Sequence, residues 1–504
     1  MSASGPADPS PPAAEPYHIL TKRQKCNLVV FVSFAACFSP LSSNIYFPAL
    51  DTISTDLGVS PSLVSLTIAV YMVVQGIAPS LFGALSDACG RRLTCILSLT
   101  IYTAANLALA FTSSYPMLMV LRGLQAAGSA ATISISAGVI ADIALPEERG
   151  GFIGTNAGVR MMGQAIGPVI GGLLNSAWGF RSIFWFLFAF SAIVLGALVI
   201  FLPETQRSIA GNGSIPLTGL HKPLAYTINP PSIWSDAPSK VQPKSQRPIN
   251  LQNAFSPLAH ILEKDIAVLL AWGSVTYTAW SMVTSSTTTM LLKGFPFLTQ
   301  WQIGLCFLPN GLGCICGSLS TGWLLNHGFQ RAAAKYKRTH GITDSSSTML
   351  NNGATTNFTY IKSRLHLMPL FAAALTISLA LYGPSFEFND IRSHVTANLA
   401  APLILQFIIA FSATGIFNIN STVLIDCFPE RPASATALNN LCRCLLGAAG
   451  VSVIQPLIGA IKPMGAFFVV TGLVVVCVPL VWVERIWGEG WRKERQARMG
   501  ADGV

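Results

Sequence analysis

The sequence predicts an all-α polytopic membrane protein, with twelve transmembrane helices in two pseudo-symmetric six-helix bundles. Three observations predict it. The 504-residue chain is 51% hydrophobic and only 10% charged, where a soluble domain carries about 25% charged residues. Twelve apolar windows reach the roughly 20 residues that a helix needs to cross a bilayer. These runs are too long for barrel strands, and backbone in lipid must bond internally in helices or closed barrels. Thirdly, one segment recurs at the same place in each half of the chain.

Residues 1–26 open with "MSASGPADPSPPAAEP". This Pro/Ala/Ser-rich stretch lacks the basic start and apolar core of a signal peptide, and a disordered tail is predicted. The first bundle is expected over 27–202, with spans at 27–49, 62–85, 93–112, 116–141, 151–174 and 180–202. A linker rich in Pro, Ser and Lys follows at 203–265. The second bundle, 266–484, has spans at 266–288, 302–325, 365–384, 397–425, 434–457 and 464–483, and a polar insertion at 326–363. A basic tail closes the chain over 485–504.

Basic residues fix the orientation. With both termini in the cytoplasm, 24 of the 31 Lys and Arg fall on the cytoplasmic side, and four (Arg181, Lys293, Arg392, Lys462) fall outside. The net charge of +10 is then a topology signal that favours anionic lipid, not nucleic acid, as a partner. The eleven cysteines show no zinc-like pairing and read as small hydrophobes in a reduced setting. No metal or cofactor is expected.

The recurring segment is "PEERGGFIGTNAGVRMMGQAIGP" from Pro146 and "PERPASATALNNLCRCLLGAAGV" from Pro429. Each follows an Asp that ends the previous span (Asp142, Asp426). Each places an Arg 14 residues after the Pro and a Gly seven residues later (Gly167, Gly450). A parallel repeat of this kind is one of the symmetries that transporters use.

Three stretches carry a family resemblance. "GALSDACGRR" at 83–92 places Gly83, Asp87, Gly90, Arg91 and Arg92 as in the loop between spans two and three of the major facilitator superfamily. "LRGLQAAGSAA" from Leu121 resembles that family's Arg-x-x-Gln-x-x-Gly pattern in span four. "GQAIGPVIGG" at 163–172 is similar to its span-five antiporter motif. The finer likeness is to the fungal drug:proton antiporter-1 group, and within it to the citrate exporters, through "SPLSSNIYFPALD", "RSIFWF" and "WSMVTSSTT". The resemblance implies the major facilitator fold, alternating access around a central cavity, and efflux of a tricarboxylate from the cytosol; for an exporter the plasma membrane is the expected location. The second half's copy of the 83–92 loop, near "GSLSTGWLLNHG", has lost the acid and the arginines.

Arg160 and Arg443 are the central candidates. Each lies about nine residues, or ~13 Å, into its span, near the midplane of a ~30 Å hydrocarbon core. An Arg there costs about 2.5–3.5 kcal/mol even on a lenient insertion scale, and it keeps its charge. All 21 Asp and Glu lie in tails, loops or span ends, the ends being marked by Asp51, Asp87, Asp142, Asp426 and Glu484. The expected partner is therefore the cargo. Guanidinium forks take carboxylates bidentately, and two on related helices would clasp a small polycarboxylate. The alternative left open is that both arginines bond backbone carbonyls and line water.

Polar neighbours extend the expected site: Ser43 and Asn44 in span one, Gln164 one turn from Arg160, Asn439 beside Asn440 before Arg443, and Trp280 and Thr284 in span seven. Gly83, Asp87, Gly90, Arg91 and Arg92 are expected to form a charged gate at the cytoplasmic face. That gate would hold one state of the transporter and release in the other. Gly163, Gly167, Gly171 and Gly172 should allow close helix packing, and Pro168 should kink span five. Arg122 and Gln125 are candidates for coupling or for holding helices together.

The expected function is thus export of a small carboxylate, citrate by resemblance, with protons as a further candidate partner and a monomer as the unit. A proton-coupled multidrug exporter is the rival, although the mid-span acid it would want is missing. A membrane-embedded sensor or enzyme is more remote, since no nucleophile–base pair or nucleotide loop is visible.

Overall fold

The structure is a computed structural model that describes residues 18–144, 146–228, 261–340, 365–387, 395–427 and 432–501. The expected tail up to residue 17, residues 229–260 of the linker, residues 341–363 of the insertion and residues 502–504 fall outside the described residues. So do 388–394 and 428–431.

Twelve long helices lie among the described residues. The first six are α1 (Lys22–Asn44), α2 (Pro61–Cys89), α3 (Arg91–Ala110), α4 (Tyr115–Ile143), α5 (Pro146–Trp178) and α6 (Arg181–Phe201). The second six begin with α7 (Lys264–Gly294), α8 (Leu308–His340), α9 (Met368–Tyr382) and α10 (Val395–Cys427). The run Pro432–Ala501 holds the last two, α11 (432–461) and α12 (462–501). They are separated where Ile461 leaves helical geometry and Lys462 takes φ 62°. Ten helical stretches are long and apolar enough to cross a membrane, one of which contains both α11 and α12. The helix that falls short is α5, whose apolar run is diluted by its glycines, Asn156 and Arg160.

Helix starts follow local chemistry. Thr21 and Gln24 form a capping box at α1, and Ser60 caps α2, with Pro61 at its first position, where a missing N–H costs nothing. α3 is capped from a distance. Gly90, at φ 103°, turns the chain within one residue, and Glu204, past the end of α6, accepts from the N–H groups of Arg91 (2.9 Å) and Arg92 (3.2 Å).

The end that carries the 83–92 turn is here the loop end, and the opposite one the far end. One apolar cluster fills the N-terminal half and continues at the far end into Leu291, Phe295, Ile303 and Phe307 of the other half. A second cluster fills the C-terminal half. Two seams join the halves. In one, α2 meets α11: a Cβ on Gly76 would lie 3.0 Å from Cys444 Cβ, and Asn440 donates to Gln75 O at 3.1 Å. In the other, α5 meets α8 and the short helix Gln300–Leu305, where a Cβ on Gly172 would lie 2.9 Å from Gly304 Cα. At the far end, Thr288 donates to Phe47 O at 2.9 Å, and the Phe47 and Phe307 rings stack at 6.1 Å. Toward the loop end, a Cβ on Gly83 would meet only Ser134 Oγ at 4.0 Å, and those on Gly151, Gly154 and Gly158 would meet nothing within 4 Å. Among the described residues the halves therefore close at the far end and part at the loop end.

Candidate functional site

Arg160, on α5, is half-buried, and its buried Nε has no hydrogen-bond partner among the described residues. Arg443, on α11, lies near enough for the two charges to act on each other. Its Nε and Nη2 both donate to Asn440 Oδ1, at 3.2 and 2.8 Å. Its guanidinium sits 4.9 Å from the Tyr277 ring and 4.5 Å from the Phe417 ring. Among the described residues neither arginine forms an ion pair with an acid. Two like charges, one from each half, thus stand within electrostatic reach of each other with only neutral partners among the described residues.

The polar neighbours divide. Gln164 donates to Cys314 Sγ at 3.1 Å, across the α5–α8 seam. Trp280 donates to Asn310 Oδ1 at 2.9 Å, joining α7 to α8 beside Tyr277, whose ring lies 5.6 Å away. Ser43 is half-buried. Asn44 turns its amide to Pro40 O at 2.7 Å and packs where α1 approaches Gly167. Thr284 is buried, and its hydroxyl is spent on Trp280 O of its own helix at 2.9 Å. Asn439 donates to Ser421 at 3.2 Å, inside the packing of α10 against α11. Asn440, rather than Asn439, is the partner of Arg443. Tyr277, Phe417 and Asn310 are additions to the expected set. Tyr277, one turn from Trp280, was the one a helical face could have revealed.

Arg122 is a separate case. It is completely buried, and its guanidinium lies between the rings of Tyr46 (4.2 Å) and Tyr71 (4.4 Å). Its Nη1 donates to Gln125 Oε1 at 2.6 Å, and Gln125 donates onward to Asn106 at 2.7 Å. Among the described residues Nε and Nη2 have no hydrogen-bond partner.

The glycines of α5 do two jobs. Gly163 and Gly167 lie against α1, where Cβ atoms would stand 2.5 Å from Cys37 Sγ and 3.2 Å from Ile45 N. A Cβ on Gly171 would overlap Ile45 O. Gly172 instead faces the other half, as does the carbonyl of Pro168, which lies against Gly304.

The charged turn at the loop end is tied within the N-terminal half. Arg91 pairs with Asp87 at 2.7 Å and Asp142 at 3.0 Å. Arg92 caps the end of α6 through Leu198 O (3.0 Å), Val199 O (2.7 Å) and Leu202 O. Glu204, which sequence reasoning left in the linker, also accepts from Thr205 N and Gln206 N and meets His221 Nδ1 at 3.3 Å. Burial alone would raise its carboxyl, but the hydrogen bonds from His221 and the backbone hold it below its ordinary value. The cluster is intact in this structure.

Comparison with known proteins adds four findings. The family model "Major Facilitator Superfamily" matches residues 32–451. Citrate exporter 1 of Aspergillus niger is 46% identical, over 99% of this chain and 94% of its own length. Multidrug transporter QDR2 of Candida glabrata is 31% identical over 92% of this chain and 80% of its own length. Among solved structures, the human organic anion transporter MFSD10 covers 92% of this chain and 100% of its own, with a TM-score of 0.55 at 18% identity, a likeness of fold.

Proposed function

Since the chain belongs to the Major Facilitator Superfamily, we propose that it is an alternating-access transporter exporting a small polycarboxylate, citrate above all, across the plasma membrane. The observation that carries this reading is the pair of arginines, Arg160 and Arg443, one from each half, near enough to act on each other and without an acid partner among the described residues. A fork on each can take one carboxylate bidentately, and the bound anion relieves their mutual repulsion. Gln164, Ser43, Trp280 and Asn440 supply neutral contacts around it. The 46% identity to a protein named as a citrate exporter supports citrate as the cargo.

In this reading the loop end faces the cytosol, both termini are cytoplasmic, and the structure is the state that receives cargo. The working unit is a monomer. The layout proposed with it is a tail at 1–26, bundles at 27–202 and 266–484, a linker at 203–265, an insertion at 326–363 and a basic tail at 485–504. A cytosol-negative membrane potential drives anions outward by about 2.3 kcal/mol per charge per 100 mV, so export of a net anion needs no proton. Arg122 and Gln125 hold α1, α2 and α4 together, and Gly172 sets the approach of the halves.

A second reading, multidrug export, draws on the rings of Tyr277 and Phe417 around Arg443 and on the QDR2 likeness. One experiment separates them. Efflux of labelled citrate is measured from yeast expressing the wild type, Arg160→Lys or Arg160→Ala at matched surface levels, with malate, itaconate and a cationic dye as competitors. Citrate efflux should fall at least about tenfold in both variants, a loss of ~1.4 kcal/mol, because Lys lacks the fork. Wild-type cells that move the dye and leave citrate inside would put the second reading in front.

A further inference from the structure

The transport reading leaves one buried carboxylate on α12 unused. Glu484 is 1% exposed, and among the described residues neither Oε1 nor Oε2 has a hydrogen-bond partner. It lies against Gly488, where a Cβ would overlap its Oε1. Among the described residues, the charged and titratable groups around it come from three helices: Asp265 at the start of α7, Cys427 at the end of α10, and Glu489, Arg492 and Arg495 on α12 itself. The ties described for the two cations run to other groups. Arg495 donates to Asp265 Oδ2 at 3.2 and 2.8 Å and to Cys427 O at 3.3 Å, and Arg492 pairs with Glu489 at 3.8 Å. Asp265 is also 1% exposed, with Oδ1 lacking a hydrogen-bond partner among the described residues.

A carboxylate buried without donors, beside a second carboxylate, is strongly disfavoured as an ion, whereas the neutral acid is not. We infer that Glu484 is a proton-binding site: its carboxyl holds a proton while α12 lies against α7 and α10, and loss of that proton undocks the end of α12. Once ionised, Glu484 competes with Asp265 for Arg495 and draws water between the helices. The proton leaves to water in the adjoining cavity of about 270 Å³, lined by Glu263, Lys264, Asp265, Trp491, Glu494 and Arg498. The helix end held there, 484–501, carries a second tie from Arg498 to Glu263 at 2.8 Å. The site is thus a sensor of pH on the loop side of the membrane, and it does not depend on which cargo the central arginines take.

The test uses the full chain in lipid nanodiscs without substrate. Amide hydrogen exchange of 484–501, corrected for the intrinsic pH dependence, and the thermal midpoint are followed from pH 5 to 9 for wild type, Glu484→Gln and Asp265→Asn. Wild type should lose protection, on the order of tenfold, and lose thermal stability along a one-proton curve as pH rises. Glu484→Gln should keep the acid-side values throughout. Asp265→Asn, which removes the neighbouring charge and frees Arg495, should move the curve to lower pH. A flat wild-type profile, or a Glu484→Gln protein that follows wild type, overturns the proposal.

Discussion

Arg122, Arg160 and Arg443 all lie at membrane depth, and each meets its burial by different means. Arg122 is held between two tyrosine rings, contacts that contribute about 2 kcal/mol or more each when desolvated. Arg443 leans on Asn440 and two rings, while Arg160 keeps an unpartnered Nε. The paired asparagines give a sharp prediction. Asn440→Ala should raise the KM for citrate about tenfold (~1.4 kcal/mol) by releasing the Arg443 fork. Asn439→Ala should leave KM alone and lower the thermal midpoint, since it removes a buried hydrogen bond worth about 1 kcal/mol. Transport assays and thermal scans on the two variants check this, and a KM effect in Asn439→Ala would contradict it. The depth of both arginines was legible in the sequence, because it needs only the 1.5 Å rise. Which asparagine touches Arg443 was not. Positions three and four residues earlier both lie on that face, and the rotation of α11 against α2 decides between them. Glu484 read as a marker of a span end for the same kind of reason: what buries it lies on α7 and α10.

Among the helices, α5 and α3 show how one element is fixed by several others. On α5, Gly171 and Gly172 are adjacent but face different partners. Gly171→Ala would force α1 and α5 apart inside one half and should destabilise by about 1–3 kcal/mol, read as a lower thermal midpoint. Gly172→Ala would crowd Gln300 O and Gly304, each 2.9 Å from the added Cβ, across the far-end seam. It should favour opening there, seen as faster labelling of a cysteine placed at Phe307 and slower labelling at the loop end. For α3, Glu204→Ala should cost about 1.5–3 kcal/mol by leaving its first N–H groups bare. The stretch before α1 adds a pH dependence. His18 Nδ1 accepts from Leu20 N at 3.1 Å, and Ile19 N donates to Asn212 O at 3.0 Å. Burial, then Lys25 and Arg207, hold the His18 ring down at about 4. The folded segment therefore favours the neutral ring, and its docking is complete above the unfolded value near 6.5 and weakens as pH falls from there toward 4. Corrected amide exchange at residues 18–21 should rise over that range, and His18→Asn should flatten the rise.

For the molecule as a whole, the twelve spans and the two-bundle plan were readable from hydropathy and from the repeated arginine segment, because both are local in sequence. Which end is open was not, since it depends on contacts such as Thr288 with Phe47 and Gly304 with Gly172, which lie far apart in the chain. The charged turn illustrates the limit: its residues were identifiable, but its anchoring partner, Glu204, lies 113 residues beyond Arg91. That interval has a meaning in time. A ribosome adding about 5–20 residues per second makes the start of α3 roughly 6–23 s before the carboxylate that caps it. Through that window the nascent chain carries an unfinished turn at the membrane surface. Once residue 222 has emerged, the described partners of Arg91 and Arg92 have all been made, before any of α7–α12 exists. The first bundle can thus be completed during synthesis and wait, already set, for the second to be inserted beside it.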